Sequence, residues 1–182
     1  FQRLELIKKL LPVYLQILTS LQHAGATYVQ LDEPCLSLNL TDQERQVFAD
    51  TYNEISRQLP ELKIILASYF ECYGENLSLA LKLPVEVWHL DLVRCPSQLE
   101  DILATDIATS SQILSLGVVD GRNIWKNNFE TSLDFINKAV AQLGADRVWV
   151  APSCSLLHVP CDLDLEKNET VLTPEIKQWM GK

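Results

Sequence analysis

Six side chains in this sequence could bind or transform a small molecule: Asp32, Asp91, Asp120, Arg122, Trp125 and Cys154. Several carboxylates around one mouth suit general acid/base work, for example on a sugar. A cysteine near His89, His158 or Asp91 suits a thiolate nucleophile or a metal ligand. Within Arg122-Asn123-Ile124-Trp125-Lys126-Asn127-Asn128, the arginine offers a fork of donors and the tryptophan a stacking face, which together suit an anionic or planar ligand. Each has a structural competitor. Asp32, Asp91 and Asp120 can equally cap backbone amides or pair with Arg94 and Arg122. Cys154 can be a packed small hydrophobe. His89 alternates with Trp88 and Leu90 in an apolar run, the pattern of a hydrogen-bonded core histidine, and His158 lies in a Pro-flanked loop that reads as surface.

These residues matter together only if the fold gathers them. Apolar residues at helical spacing (Leu4, Ile7, Leu11, Tyr14, Leu18, Leu21) predict a helix over residues 3–23, kinked or restarted at Pro12 and stopped by Gly25. A β-rich run, Thr27–Leu31, closes at Asp32-Glu33-Pro34, where proline ends ladder pairing. Thr41 and Glu44 have the spacing of a capping box opening a helix to about Leu59. The alternation then repeats. Strands are expected at Lys63–Tyr69, Val85–Val93, Ile113–Val119 and Arg147–Ala151. Helices are expected near Asn76–Leu83, near Ser97–Ala104 and at Phe129–Leu143 before Gly144, with a last one opening at Thr173-Pro174. Five short apolar strands alternating with helices predict an α/β fold with a parallel sheet buried on both faces. An eight-unit barrel needs about 250 residues. The chain is therefore either a five-stranded doubly wound sheet or part of a (βα)8 barrel with three strands upstream. In both, ligands meet the carboxyl ends of the strands, where all six candidates fall.

Composition narrows the function classes. With 182 residues, 47% hydrophobic and 21% charged, the chain can build a sizeable core. A formal charge of −9 with scattered basic residues disfavours nucleic acid as a partner. No apolar run reaches membrane-spanning length, and Phe1-Gln2-Arg3-Leu4-Glu5-Leu6 lacks the order of a secretory signal, so a cytoplasmic location without membrane contact is expected. Five cysteines without a CxxC pair predict neither a disulfide framework nor a zinc ribbon, and most are expected to be reduced.

Three motifs carry a resemblance: Val29-Gln30-Leu31-Asp32-Glu33-Pro34, the run from Leu116 to Trp125 (Leu-Gly-Val-Val-Asp-Gly-Arg-Asn-Ile-Trp), and Ser153-Cys154-Ser155-Leu156-Leu157-His158. In order and spacing they resemble the amino-terminal domain of the cobalamin-independent methionine synthase family, from about Leu10 onward. That resemblance implies a (βα)8 TIM-type barrel of which residues 1–182 supply strands four to eight. It also implies a second, catalytic barrel outside this chain. There zinc, held by His, Cys, Glu and Cys, binds homocysteine as a thiolate that attacks the methyl group of 5-methyltetrahydrofolate polyglutamate.

Overlaid on that catalytic barrel, the His and Cys ligand positions fall on Ser68 and Phe70, the Glu ligand on Asp91, and the last Cys on Cys154. The proton-donating His falls on Arg122. Asp32 matches an aspartate that holds the homocysteine amine, whereas its companion carboxylate falls on Leu38. The resemblance thus implies a degenerate copy with no catalytic residue and no metal of its own. Asp32, Asp91, Asp120, Arg122, Trp125 and Cys154 would then line a cleft shared with the missing barrel segments. A self-contained carboxylate hydrolase and a non-catalytic ligand-binding module are the alternatives.

Overall fold

A computed structural model describes residues 3–168 and 170–181; Phe1 and Gln2, which open the segment judged unlike a signal, lie outside the described residues. Six α-helices and five strands alternate: α1 (Ile7–His23), β1 (Tyr28–Asp32), α2 (Asp42–Gln58), β2 (Lys63–Ala67), α3 (Leu77–Ala80), β3 (Val87–Asp91), α4 (Gln98–Leu103), β4 (Ile113–Val119), α5 (Phe129–Leu143), β5 (Val148–Pro152) and α6 (Pro174–Lys177). The expected capping box is present: Thr41 Oγ1 accepts from the Glu44 amide and Glu44 Oε2 accepts from the Thr41 amide. Gly25 (φ 98°) and Gly144 (φ 84°) follow α1 and α5 in the left-handed region that stops a helix.

Several elements differ from their expected form. A 3-10 turn, Arg3–Leu6, precedes α1, which then passes Pro12 without interruption. The strand expected to reach Tyr69 stops at Ala67, because Phe70 takes φ 82° and turns the chain away. The helix expected near 76–83 is a single α turn after a 3-10 turn, closed off before Pro84.

All five strands are parallel in the order β1-β2-β3-β4-β5. A doubly wound sheet reverses strand order at its switch point. Here the order never reverses, and right-handed crossovers that always step the same way put the connecting helices α2 to α5 on one face. That face holds the core, where Leu31, Ile64, Leu66, Trp88, Leu90, Leu114, Leu116 and Val118 pack under the helices.

The register puts Tyr28, Gln30 and Asp32 of β1 on the opposite, concave face with Lys63, Ala67, His89, Asp91, Ser115, Gly117 and Trp149. Tyr28 and Trp149 meet edge to face with ring centroids 5.2 Å apart, although their strands are first and last in the sheet. A flat sheet at about 4.8 Å per strand would separate them by roughly 19 Å. The sheet is therefore curled until inward side chains of its outermost strands touch. Strands four steps apart stand opposite one another in an eight-stranded barrel, whose interior is just wide enough for side chains to fill.

Candidate functional site

Parallel strands with one curvature bring their carboxyl ends to one rim, and on it stand five of the six candidate side chains. Asp32 closes β1 and is exposed; its carboxylate accepts from Gln30 Nε2 at 2.7 Å and from the Tyr69 hydroxyl at 3.2 Å. Tyr69 packs edge to face on Phe70 (4.7 Å), and the Arg122 guanidinium lies 5.3 Å from the Phe70 ring centre. One chain of contacts thus crosses the mouth from β1 to the loop after β4. Tyr69 was not legible as a site residue, since the expected strand Lys63–Tyr69 ran to it, and Phe70 entered only as the position matched to a Cys ligand.

Asp91 ends β3 and is 1% exposed. Its Oδ2 accepts from the Phe70 amide at 2.9 Å, and its Oδ1 from the Val93 (3.2 Å) and Arg94 (3.0 Å) amides. This carboxylate clamps two loops together and holds Phe70 in a backbone region unfavourable for a bulky side chain. Asp120 accepts from the Arg122 amide (2.7 Å) and from Asn123 Nδ2 (2.6 Å), closing an Asx turn that sets the arginine over Phe70.

Cys154 is half-buried. Burial pushes its thiol up, opposed by a hydrogen bond from Ser153; the charges of Asp91, Arg122 and Asp120 also reach it, which places all four in one neighbourhood. Gly121 allows this proximity, for a Cβ there would lie 2.7 Å from the Cys154 carbonyl oxygen and 2.9 Å from its sulfur.

His89 is buried with both ring nitrogens engaged: Nδ1 lies 3.0 Å from Ser115 Oγ and Nε2 3.1 Å from the Ser153 carbonyl oxygen. Burial holds its pKa below the ordinary 6.5. His158 is exposed. Trp125 stands apart from the mouth. It lines a neighbouring cleft of about 350 Å³ with Leu92, Pro96, Asp120 and Phe135. Its backbone bridges Met180, and the Lys126 amide donates to the Trp179 carbonyl oxygen at 2.8 Å, so the segment around α6 seals the loop.

A further carboxylate at the end of β1, partly buried, is Glu33. It accepts from the Tyr52 hydroxyl at 3.1 Å and from the Cys35 thiol, and burial raises its pKa.

The four positions matched to a zinc set do not fit that metal. Both Asp91 oxygens serve backbone amides, Ser68 offers a buried, unpartnered hydroxyl, and Phe70 offers no lone pair. Cys154 carries a thiol harder to ionise than usual. Among the described residues no group of three or more His, Cys, Asp and Glu is placed to hold an ion. A carboxylate hydrolase fares no better on geometry, because Asp32, Asp91 and Asp120 are all engaged in local hydrogen bonds.

Two cysteines differ from expectation: Cys72 and Cys95 are joined by a disulfide, while Cys35, Cys154 and Cys161 are free. No helix among the described residues is long and apolar enough to cross a membrane.

Comparison with known proteins agrees with this geometry. Residues 1–144 match the family described as cobalamin-independent synthase, N-terminal domain. Proteins named 5-methyltetrahydropteroyltriglutamate–homocysteine methyltransferase are similar over the whole chain, at 62% identity in Flavobacterium johnsoniae, 61% in Cytophaga hutchinsonii and 52% in Caulobacter vibrioides. The chain spans 23% of the length of each. Two solved structures share its fold. A putative vitamin-B12 independent methionine synthase from Listeria monocytogenes has a TM-score of 0.62 at 16% identity, covering 82% of this chain and 48% of that one. A B12-independent methionine synthase from Shewanella sp. W3-18-1, in complex with selenomethionine, has a TM-score of 0.66 at 15% identity, covering 88% and 50%.

Proposed function

Given that the chain belongs to the cobalamin-independent synthase N-terminal domain family, we propose that residues 1–182 are strands four to eight of the amino-terminal (βα)8 barrel of a methyltransferase. The whole protein would transfer the methyl group of 5-methyltetrahydrofolate polyglutamate to homocysteine, giving methionine, in the cytoplasm. The observation that carries this reading is 62% identity, along the entire chain, to a relative bearing that activity in its name. The zinc ion belongs to the second barrel, where it would lower the homocysteine thiol pKa and supply the nucleophile.

The part played by this chain is a scaffold. Its strand-end rim faces the cleft shared with the catalytic barrel and contributes shape and hydrogen bonding there. Asp32, Asp120, Arg122 and Cys154 line the cleft, Asp91 holds the rim's loops from beneath, and Trp125 borders it. The free edges of β1 and β5 pair with the remaining strands of the same barrel. The mutual engagement of Asp32 with Tyr69, and of Asp91 with three amides, supports a non-catalytic role.

The test is a chimera in which this chain replaces the matching segment of the Flavobacterium johnsoniae relative. It is expected to transfer methyl groups from 5-methyltetrahydropteroyltriglutamate to homocysteine within about tenfold of the parent, a loss below about 1.4 kcal/mol in the barrier. The isolated chain is expected to transfer none. A folded but inactive chimera, or hydrolysis of glycosides by the isolated chain, would reject the proposal.

A further inference from the structure

Cys72 and Cys95 lie 23 positions apart in sequence, on the loops that follow β2 and β3, and the pairing of those strands brings their Cα atoms to 5.2 Å. That separation lets a disulfide form without moving the backbone. The two sulfur-bearing residues differ in access: Cys72 is partly exposed, whereas Cys95 is 2% exposed. The bonded loops are the same two that Asp91 clamps through the Phe70 amide.

Phe70, whose amide makes the first tie two residues before Cys72 makes the second, sits at φ 82° and beneath the Arg122 guanidinium. Most non-glycine residues avoid that conformation, and a bulky one persists there only while its surroundings hold it. The tip of the loop, Phe70 to Cys72, therefore has a built-in tendency to relax, opposed on one side by the Asp91 clamp and on the other by the covalent bond and by Tyr73, whose amide donates to Gln98 Oε1 at 2.6 Å. Losing the covalent bond loosens only the tip, residues 70–72, since the Asp91 clamp and the buried Tyr73 remain.

We propose that Cys72–Cys95 is a reversible thiol–disulfide exchange site, entered at Cys72, whose state sets how firmly the Phe70 loop is held at the mouth. Its co-reactant is a low-molecular-weight thiol or the corresponding disulfide. In the reducing direction a thiolate attacks the Cys72 sulfur and the bond between the two cysteines breaks. Cys95 departs as a thiolate and takes a proton. A second thiolate then attacks the small-molecule sulfur of the mixed disulfide, Cys72 leaves and is protonated, and the small disulfide is released. Two thiols are oxidised and one protein disulfide is reduced, so two electrons balance; oxidation runs the same steps backwards. Attack falls on Cys72 because it is the partly exposed partner, whereas Cys95 is buried. None of this rests on the methyltransferase reading.

The experiment equilibrates the chain in buffers of reduced and oxidised glutathione, quenches with acid, alkylates free thiols and maps them by mass. Cys72 and Cys95 are expected to become alkylated together as the buffer turns reducing, with Cys35, Cys154 and Cys161 varying independently. Hydrogen exchange at the Phe70, Glu71 and Cys72 amides is expected to be about tenfold faster or more in the reduced form, because a closed loop of this size restricts the open state strongly. Cys95→Ala should trap glutathione on Cys72, whereas Cys72→Ser should trap none on Cys95 and should exchange at the reduced rate in every buffer. Three results would overturn the proposal: no Cys72–Cys95 bond in any buffer, a bond that resists reduced glutathione in the folded chain, or equal loop exchange in both states.

Discussion

Replacing Asp91 by asparagine separates a structural carboxylate from a ligand-binding one. The side chain is 1% exposed, and its two oxygens accept three backbone amides at 2.9, 3.2 and 3.0 Å. Asparagine keeps a single acceptor oxygen. It can serve the Val93 and Arg94 pair or Phe70, but it turns an amide donor toward the other. Orphaning a buried amide costs about 1–3 kcal/mol, and converting the remaining charge-assisted bonds to neutral ones costs roughly another 1 kcal/mol. The expected loss is about 2–4 kcal/mol. For a chain of this size that corresponds to roughly 5–15 °C in the unfolding midpoint. Thermal unfolding followed by circular dichroism gives the first readout, and hydrogen exchange at the Phe70 amide gives the second. An Asp91→Asn chain as stable as the parent, with the Phe70 amide still protected, would refute the clamp and return Asp91 to the pool of free ligands.

Three further outcomes are expected. In Gly117→Ala the new Cβ would lie 2.6 Å from the Leu90 carbonyl oxygen and 2.7 Å from Ser153 Cα, both backbone, so a loss of about 2–3 kcal/mol should appear in the same thermal assay. His89 has a depressed pKa in the folded chain. The unfolded state therefore binds more protons, and the stability it contributes is full above about pH 6.5 and is lost as pH falls below that value; denaturation midpoints should decline between pH 7 and pH 5, and less so in His89→Gln. Among the described residues the outer edges of β1 and β5 have no strand partners, so sedimentation of the isolated chain should show concentration-dependent self-association, and a monomer at every concentration would argue against a partial barrel.

The parts of the fold legible in the sequence are those fixed by neighbours in the chain. Thr41 and Glu44 announce α2 because their reciprocal hydrogen bonds span three residues, and Pro34 marks the end of β1 because it lacks a ladder donor. What escaped depends on residues far apart. The β2 run looked as if it continued through Tyr69; only Asp91, held 21 positions later, bends the chain at Phe70. The Cys72–Cys95 pair was invisible for the same reason, since 23 intervening residues become adjacency only through β2–β3 pairing. At the rim, Asp32, Asp120, Arg122 and Cys154 were identifiable because strand-end loops collect polar residues. Their partner Tyr69 carried no local signal, and Phe70 was marked only as the position matched to a Cys ligand. His89, read as a hydrogen-bonded core residue, has that environment, with Ser115 and Ser153 as its partners.

The central claim is that this barrel segment retains the shape of a catalytic half without its metal chemistry, and zinc stoichiometry tests it most directly. The reduced chain, dialysed against micromolar zinc and analysed for bound metal, is predicted to hold well under one equivalent, because a tetrahedral site needs three or four ligands and, of the four positions matched to the zinc set, only Cys154 offers a ligand not already engaged. Stoichiometric zinc that disappears in Cys154→Ser, with Asp91 or a histidine as its other ligand, would contradict the account.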